Sequence, residues 1–125
     1  MTTASVLVID DDPRILEFVK AALEDEGYDA FTALDGAAFA LAERERPALI
    51  LLDLMMPHLD GMEISCRLRA TPSTAHIPIV AMSAYLRDAA PEALAVDDWL
   101  SKPFDLDQLY AIVARWVDIS AAKSI

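Results

Sequence analysis

The stretch from Ser5 to Pro13, which reads SVLVIDDDP, decides the fold of this 125-residue chain. Four consecutive apolar residues, Val6 to Ile9, are followed at once by three acids and a proline. An unbroken apolar run is typical of a strand that is buried on both faces of a parallel sheet, between layers of helices. Asp12 followed by Pro13 is typical of the start of a helix. The stretch therefore predicts a strand that leads through a short turn into a helix.

The rest of the chain repeats this alternation. Apolar runs predict further strands at residues 28–33, 48–52, 77–82 and 99–101. Apolar residues at helical spacing predict helices from residue 13 to Gly27, from residue 36 to Pro47, over residues 61–70, and from residue 106 onward. Asp105 and Gln108 have the spacing of a capping box at the start of the last helix.

Strands that alternate with helices predict a doubly wound α/β domain with a five-stranded parallel sheet and about five helices. Pro91 falls where the fourth helix is expected, and a proline inside a helix removes a hydrogen bond and clashes with the preceding turn. We therefore expect helix 4 to be short or irregular and to begin near Pro91. The domain is expected to span residues 1–119, with residues 120–125 as a C-terminal tail.

Composition excludes several classes of protein. With 10 Lys and Arg against 21 Asp and Glu, the formal charge is −11, which disfavours contact with phosphate backbones and anionic lipid. The hydrophobic fraction of 55% excludes a disordered acidic chain, and no apolar run reaches the roughly 20 residues that span a bilayer. A single cysteine, Cys66, permits no internal disulfide. We expect a cytoplasmic protein with no membrane insertion and no direct contact with nucleic acid.

Acidic side chains follow two of the predicted strands. Asp10 and Asp11 end the first strand, and Asp53 ends the third. The carboxyl ends of parallel strands meet at one edge of a sheet, so we expect the three carboxylates to lie together. Such a group raises the pKa of its members unless a cation lies among them. Oxygen ligands without His or Cys favour a hard cation such as Mg²⁺, whereas Asp12 is interpreted as a helix cap.

A lysine and a hydroxyl are predicted at the same edge. Ser83 ends the fourth strand, and Lys102 ends the fifth. A metal ion, a compact positive charge and a hydroxyl donor are what the transfer of a phosphoryl group requires. Asp53, the single acid on its strand, is the candidate nucleophile that would form an acyl phosphate.

Four motifs of this sequence resemble the receiver domain of two-component response regulators. They are VLVIDDDP at residues 6–13, LLDLMMP with DGME over residues 51–63, Met82-Ser83-Ala84, and Lys102-Pro103-Phe104. Together they cover nearly the whole chain in order. The resemblance implies a flavodoxin-like sheet of strand order 2-1-3-4-5, like that of a single-domain chemotaxis regulator. It also implies a signalling switch rather than an enzyme.

The resemblance also implies a role for each matching acid. Asp53 would be the phospho-acceptor. Asp11 and Asp53 would bind Mg²⁺ directly, the backbone carbonyl of Met55 would be a further ligand, and Asp10 would act mainly through water. A sensor histidine kinase or a histidine phosphotransfer protein would supply the phosphoryl group.

The remaining matches concern the conformational switch. Ser83 and Lys102 would each contact a phosphoryl oxygen, and Lys102-Pro103 resembles a cis peptide of the family. Trp99 occupies the switch-aromatic position, so that phosphorylation shifts the conformation around Ser83 and Trp99 and thereby controls a downstream protein target. The glycine that usually precedes the fifth strand in the family is replaced by Ala95-Val96.

Two positions tune the lifetime of the phosphorylated state in the family. They correspond to Met55 and Tyr85, and neither is an acid or an amide that could orient an attacking water. We therefore expect slow self-dephosphorylation, on a scale of minutes or longer.

Two other functions fit parts of the pattern. A phosphotransferase of the haloacid dehalogenase type also uses aspartate and Mg²⁺, and Asp10 with Asp12 could mimic its D-x-D motif. Turnover of a phosphate ester would favour that enzyme, whereas one phosphate retained on Asp53 would favour the receiver. A flavodoxin-like nucleotide binder would need a Gly-rich or Ser/Thr-rich phosphate loop after strand 1, where this chain has acids.

Overall fold

The computed structural model describes residues 3–56, 59–83 and 95–123. Strands and helices alternate through this part of the chain. They are β1 (Ser5–Ile9), α1 (Pro13–Asp25), β2 (Asp29–Ala33), α2 (Ala37–Glu45), β3 (Leu49–Asp53), β4 (Met55–Met56), β5 (Leu59–Asp60), α3 (Gly61–Ala70), β6 (Ile79–Ser83), β7 (Asp98–Ser101) and α4 (Leu106–Lys123). Among these residues, none of the helices has the length and apolar character that crossing a bilayer requires.

Five of the strands form one parallel sheet in the order β2-β1-β3-β6-β7. When the strands of this sheet are counted along the chain, the order is 2-1-3-4-5. The predicted flavodoxin-like α/β fold is therefore confirmed. The described residues contain four helices, and the expected short or irregular helix 4, with Pro91, lies outside them in residues 84–94.

The sheet divides the core into two layers. Along β1, Leu7 and Ile9 join one cluster of buried side chains, and Val6 and Val8 join the other. This alternation is the two-residue period of a strand, and both faces are apolar because helices cover both. The first cluster packs against α2 and α3, and the second packs against α1 and α4. Each large side chain buried in this way contributes about 1.5–3 kcal/mol.

Side chains cap two of the helices as the sequence predicts. The carboxylate of Asp12 accepts a hydrogen bond from the backbone N–H of Arg14 at 2.9 Å, and Pro13 occupies the first helical position of α1. Before α4, the backbone N–H of Asp105 donates to Oε1 of Gln108 at 2.9 Å, and the N–H of Gln108 donates to Oδ1 of Asp105 at 2.8 Å. The predicted capping box is therefore confirmed.

A small hairpin between β3 and α3 was not predicted. Strands β4 and β5 pair antiparallel, with Met55 opposite Asp60 and Met56 opposite Leu59. Two-residue strands are too short to show a period in the sequence. The hairpin turns the chain back, so that α3 begins at the carboxyl end of β3.

The strand ends differ by a residue or two from the sequence prediction. Strand β3 runs through Asp53 and β6 runs through Ser83, so both residues belong to the ladder, where Asp53 lies opposite Met82. In the described part of the chain, two residues other than glycine have positive φ. Arg46, which ends α2, has φ 44° and ψ 62°, and Ala95 has φ 57°.

Candidate functional site

Asp10 lies directly after β1, and its carboxylate is fully buried. Burying a carboxylate is costly unless both of its oxygens are paired. Oδ1 of Asp10 accepts a hydrogen bond from the backbone N–H of Asp12 at 3.0 Å, and Oδ2 accepts one from Nζ of Lys102 at 2.9 Å. The backbone N–H of Asp10 donates to the carbonyl of Ala33 at 3.2 Å, which joins this position to the end of β2. The chain therefore holds this buried charge in one orientation.

Lys102 brings a positive charge to the site. Its Nζ lies 2.9 Å from Oδ2 of Asp10 and 3.5 Å from Oδ2 of Asp53, and its side chain is 25% exposed. Burial lowers the pKa of this ammonium, but the hydrogen bond and the charge of Asp10, together with Asp53, outweigh that effect and raise the pKa overall. Lys102 therefore stays charged throughout the neutral range.

Three carboxylates form a compact group beside this lysine. Oxygens of Asp10, Asp11 and Asp53 all lie within 4.8 Å of one another, with Asp10 and Asp53 buried and Asp11 half-buried. Three carboxylates against one ammonium leave the described cluster with an excess of negative charge. The donor set contains only oxygen, which is the ligand type that Mg²⁺ takes in proteins. The residues therefore fit a hard divalent cation in both charge and chemistry.

Asp12 does not join this group. Its carboxylate caps α1, and Nε and Nη2 of Arg14 each donate to it at 3.2 Å. The helix-cap interpretation is confirmed, and the D-x-D interpretation loses its second acid because that carboxylate is engaged away from Asp10.

Ser83 lies on β6, the strand next to β3, and Trp99 lies on β7, the edge strand that pairs with β6. Ser83 is buried at the end of β6, opposite Ser101, and its carbonyl accepts a hydrogen bond from the backbone N–H of Lys102 at 3.1 Å. Trp99 is half-buried and packs against the cluster on the α2 and α3 side of the sheet. The Lys102–Pro103 peptide bond is cis, as the resemblance implies.

The two remaining predicted residues are described only in part or not at all. The backbone of Met55 lies in β4, opposite Asp60, and Tyr85 is outside the described residues.

Two features of the site are not apparent from the sequence. One is the hydrogen bond from the backbone N–H of Asp12 to Asp10, which requires the particular turn between β1 and α1. The other is Gly61, which lies against the backbone of Asp53 and Leu54. The glycine is visible in the sequence, but its close approach depends on the unpredicted hairpin.

The family model of the response regulator receiver domain matches residues 6–114. The chain belongs to the response regulator receiver domain family. Receiver domains are phosphorylated by histidine kinases, act on downstream effectors, and are signalling switches that are generally not classed as enzymes. They bind Mg²⁺ at an acidic pocket, and the group of Asp10, Asp11 and Asp53 is present in this receiver domain.

Individual relatives agree with this assignment. The receiver domain is 42% identical over 112 residues to the DNA-binding dual master transcriptional regulator RpaA of Synechocystis, covering 86% of this chain. The chain spans 46% of RpaA, about half the length of that protein.

Two solved structures are similar over almost their whole length. The chemotaxis protein CheY4 of Vibrio cholerae has a TM-score of 0.83 at 30% identity, covering 91% of this chain and 98% of CheY4. The receiver domain of the sensor histidine kinase PA1611 from Pseudomonas aeruginosa has a TM-score of 0.84 at 30% identity, covering 94% of this chain and 99% of that domain. The PA1611 domain has a magnesium ion coordinated in its active-site cleft.

Proposed function

We propose that this receiver domain is a phosphoryl-accepting switch, in which Asp53 takes a phosphoryl group in a Mg²⁺-dependent reaction. The donor is a sensor histidine kinase or a histidine phosphotransfer protein. One observation carries the proposal, namely that Asp10, Asp11 and Asp53 place carboxylate oxygens within 4.8 Å of one another, with Nζ of Lys102 beside them.

The three acids of the site would have different roles in binding Mg²⁺. Asp11 and Asp53 would bind Mg²⁺ directly, together with the backbone carbonyl of Met55. Asp10 would act mainly through water, because its two oxygens already accept hydrogen bonds from Asp12 and Lys102. When bound, Mg²⁺ supplies the positive charge that lets an anionic phosphoryl group approach these carboxylates.

The transfer itself uses side chains of this chain. A carboxylate oxygen of Asp53 attacks the phosphorus of the donor phosphohistidine, and the P–O bond forms as the P–N bond breaks. The imidazole nitrogen leaves with the bonding electron pair and takes up a proton from solvent. The ammonium of Lys102, 3.5 Å from Asp53, pairs with one phosphoryl oxygen, and the hydroxyl of Ser83 donates to another.

The output arises from movement around the phosphorylated residue. Ser83 is drawn toward the phosphoryl group, which opens space into which Trp99 turns, so that phosphorylation shifts an existing equilibrium between two conformations. Trp99 is already half-buried, which supports our hypothesis that it starts partly inward or moves less than a smaller aromatic would. The acidic charge favours a protein target over nucleic acid.

Tryptophan fluorescence tests this switch. The chain has two tryptophans, and Trp116 is replaced so that the emission comes from Trp99. Trp116 is close to the switch residue, because its Nε1 donates to Asp98, next to Trp99. We expect the emission of Trp116→Phe to change when beryllofluoride is added in the presence of Mg²⁺. Emission that stays unchanged in both the wild type and Trp116→Phe would contradict the hypothesis.

The phosphorylated state is expected to be long-lived, because neither Met55 nor Tyr85 offers an acid or amide to activate water. Loss of the phosphoryl group can be followed by mass spectrometry after the donor is removed. A half-life of seconds that no substitution at either position lengthens would contradict this expectation.

The acceptor is tested by the intact mass of the protein after treatment with acetyl phosphate, with and without Mg²⁺. We expect one phosphoryl group on the wild type in Mg²⁺ only, and none on Asp53→Asn. The matched control is Asp29→Asn, which makes the same chemical change at the opposite edge of the sheet, where Asp29 is exposed. Phosphorylation of Asp53→Asn at the wild-type level, or repeated turnover of the donor without a retained phosphoryl group, would overturn the proposal.

A further inference from the structure

We infer that Gly61 is a positioning residue of the phosphoryl site, because its missing side chain lets α3 rest directly on the backbone that carries Asp53. The inference rests on the proposed function and adds to it a residue outside the acids, the lysine and the hydroxyl. It concerns how accurately Asp53 and the carbonyl of Met55 are placed, rather than the chemistry that they perform.

The contact at Gly61 is between backbones. A Cβ atom built at Gly61 would lie 2.5 Å from Cα of Leu54, 2.6 Å from the carbonyl oxygen of Asp53 and 3.1 Å from the carbonyl carbon of Leu54. Carbon atoms that are not bonded prefer separations of about 3.5–4.0 Å. All three neighbours are backbone atoms, so no flexible side chain can move aside. Any larger residue at this position must displace the end of β3 or the start of α3 by about 1 Å.

The buried core leaves little room for the end of β3 or the start of α3 to move. Leu54 is 6% exposed and belongs to the same buried cluster as Ile64 of α3. Interiors packed at this density do not absorb an added methyl group without shifting their neighbours. The shift is therefore passed along the chain to Asp53 on one side and to Met55 on the other.

Because β4 pairs with β5, the contact at Gly61 affects the placement of both Asp53 and Met55. Pairing of Met55 with Asp60 returns the chain, so that Gly61 reaches the residue after Asp53. The acceptor Asp53 and the proposed carbonyl ligand at Met55 thus lie in a loop whose two ends touch. A catalytic arrangement tolerates errors of only about 0.5 Å, and a misplacement of about 1 Å can cost on the order of a hundredfold in rate.

The other two glycines of the chain provide a contrast. A Cβ at Gly36 or at Gly27 would meet nothing within 4 Å. Gly27 has φ +90°, which explains its glycine by backbone conformation, whereas Gly61 lies outside that region of φ. Close approach of two backbones is therefore the property that requires glycine at position 61.

The experiment compares Gly61→Ala with two controls. Gly36→Ala makes the same substitution where there is space, and Leu68→Ala removes buried side-chain volume near the C-terminal end of α3, away from Gly61. For each protein, the Mg²⁺ dissociation constant is measured by amide NMR titration, and the initial rate of phosphorylation by acetyl phosphate is measured from intact mass. Urea unfolding gives the folded fraction, and both quantities are expressed per folded molecule.

We expect Gly61→Ala to weaken Mg²⁺ binding and to slow phosphorylation by about tenfold or more each. Gly36→Ala should stay within about twofold of the wild type, and Leu68→Ala should lose stability but keep its Mg²⁺ affinity. If Gly61→Ala is unfolded in buffer, all four proteins are compared in trimethylamine N-oxide, which favours the compact state. A Gly61→Ala chain that stays unfolded even there overturns the inference, because the glycine would then serve folding.

The outcomes separate the inference from the function on which it rests. A wild type that neither binds Mg²⁺ nor accepts a phosphoryl group overturns the proposed function. A wild type that does both, alongside a Gly61→Ala variant that matches Gly36→Ala in Mg²⁺ affinity and rate, overturns the role of Gly61 alone.

Discussion

Ala95 has φ 57°, a left-handed conformation that costs a residue with a Cβ about 1–2 kcal/mol. It lies three residues before β7. We predict that Ala95→Gly raises the free energy of unfolding by about 1 kcal/mol, measured by urea denaturation. The matched control is Ala114→Gly on the exposed side of α4, which should lower it by about 0.5–1 kcal/mol. Equal losses in the two variants would contradict the prediction.

Asp12 gives a pH-dependent prediction. Hydrogen bonds from the Arg14 side chain and from its backbone N–H lower the pKa of Asp12 below the ordinary value of 3.8. A carboxyl with a lower pKa in the folded state stabilises that state above its unfolded pKa, and the contribution is lost as pH falls through the folded value. Asp12→Ala should therefore lower the free energy of unfolding at neutral pH, with a difference from wild type that shrinks at acid pH.

Urea denaturation at several pH values checks this expectation. Asp12→Asn is the matched control, because an amide oxygen can still cap the helix but does not titrate. A difference between Asp12→Ala and wild type that grows as the pH falls would refute the role assigned to Asp12.

The part of the site that depends on strand ends was predictable from the sequence. Asp10, Asp53 and Lys102 follow apolar runs, and the topology of a parallel sheet brings such positions together whatever the details of packing. The contact at Gly61 was not predictable, because it depends on how closely two backbone segments approach each other, where a few tenths of an ångström decide whether a Cβ fits. No pattern of residue types encodes such a distance.

Helix α3 is fastened to the sheet by its last arginine. Nη1 of Arg69 donates to the carbonyls of Ala75 and Ile77 at 3.1 and 3.0 Å, and its Nη2 pairs with the carboxylate of Asp97. The same carboxylate accepts a hydrogen bond from the backbone N–H of Ile79 at 2.8 Å. One side chain thus connects α3, the loop before β6 and the residue that precedes β7.

We predict that Arg69→Ala lowers the free energy of unfolding by about 2 kcal/mol, since several charge-assisted hydrogen bonds are lost. Arg69→Lys should recover little, because an ammonium lacks the planar fork that reaches several acceptors. Arg67→Ala on the same helix is the control. Arg67 stacks over the ring of Phe39 at 3.9 Å from its centroid, a contact that contributes about 0.5–1 kcal/mol at the surface. Urea denaturation that ranks Arg67→Ala as the more damaging change would contradict the prediction.

Long, buried strands and helices were easier to predict from the sequence than short ones. Strands β1, β3 and β6 are unbroken apolar runs, and they lie in the centre of the sheet. The paired residues of β4 and β5 are too few for any periodicity, so the hairpin was missed. Helical periodicity also places Leu106 with the buried residues of α4, yet Leu106 is the first residue of that helix and is 41% exposed.

For the molecule as a whole, the charge of −11 gives a prediction about salt and metal. Sodium chloride screens the repulsion among surface acids and should raise the stability of every variant modestly. At equal ionic strength, Mg²⁺ should raise the stability of the wild type further, by about 2.7 kcal/mol when its concentration is a hundred times the dissociation constant.

The site variant for this test is Asp11→Asn, and Asp118→Asn is its control. Both substitutions remove one negative charge, but Asp118 is exposed on α4, outside the carboxylate cluster. The additional effect of Mg²⁺ over sodium chloride should be lost in Asp11→Asn and retained in Asp118→Asn, as followed by thermal unfolding. The same gain in both variants would mean that Mg²⁺ acts only by screening.

The position of β1 in the sheet has a consequence for the order of folding in time. β1 pairs with β2 on one side and with β3 on the other, so that Val6 lies opposite both Ala30 and Leu49. Both pairings are parallel, and a parallel pairing needs a crossover rather than a local turn. Contacts between residues so far apart in the chain form slowly, and unpaired apolar edges favour aggregation meanwhile. The rate at which β3 reaches β1, rather than the stability of the finished sheet, therefore sets how long this strand is exposed to other chains.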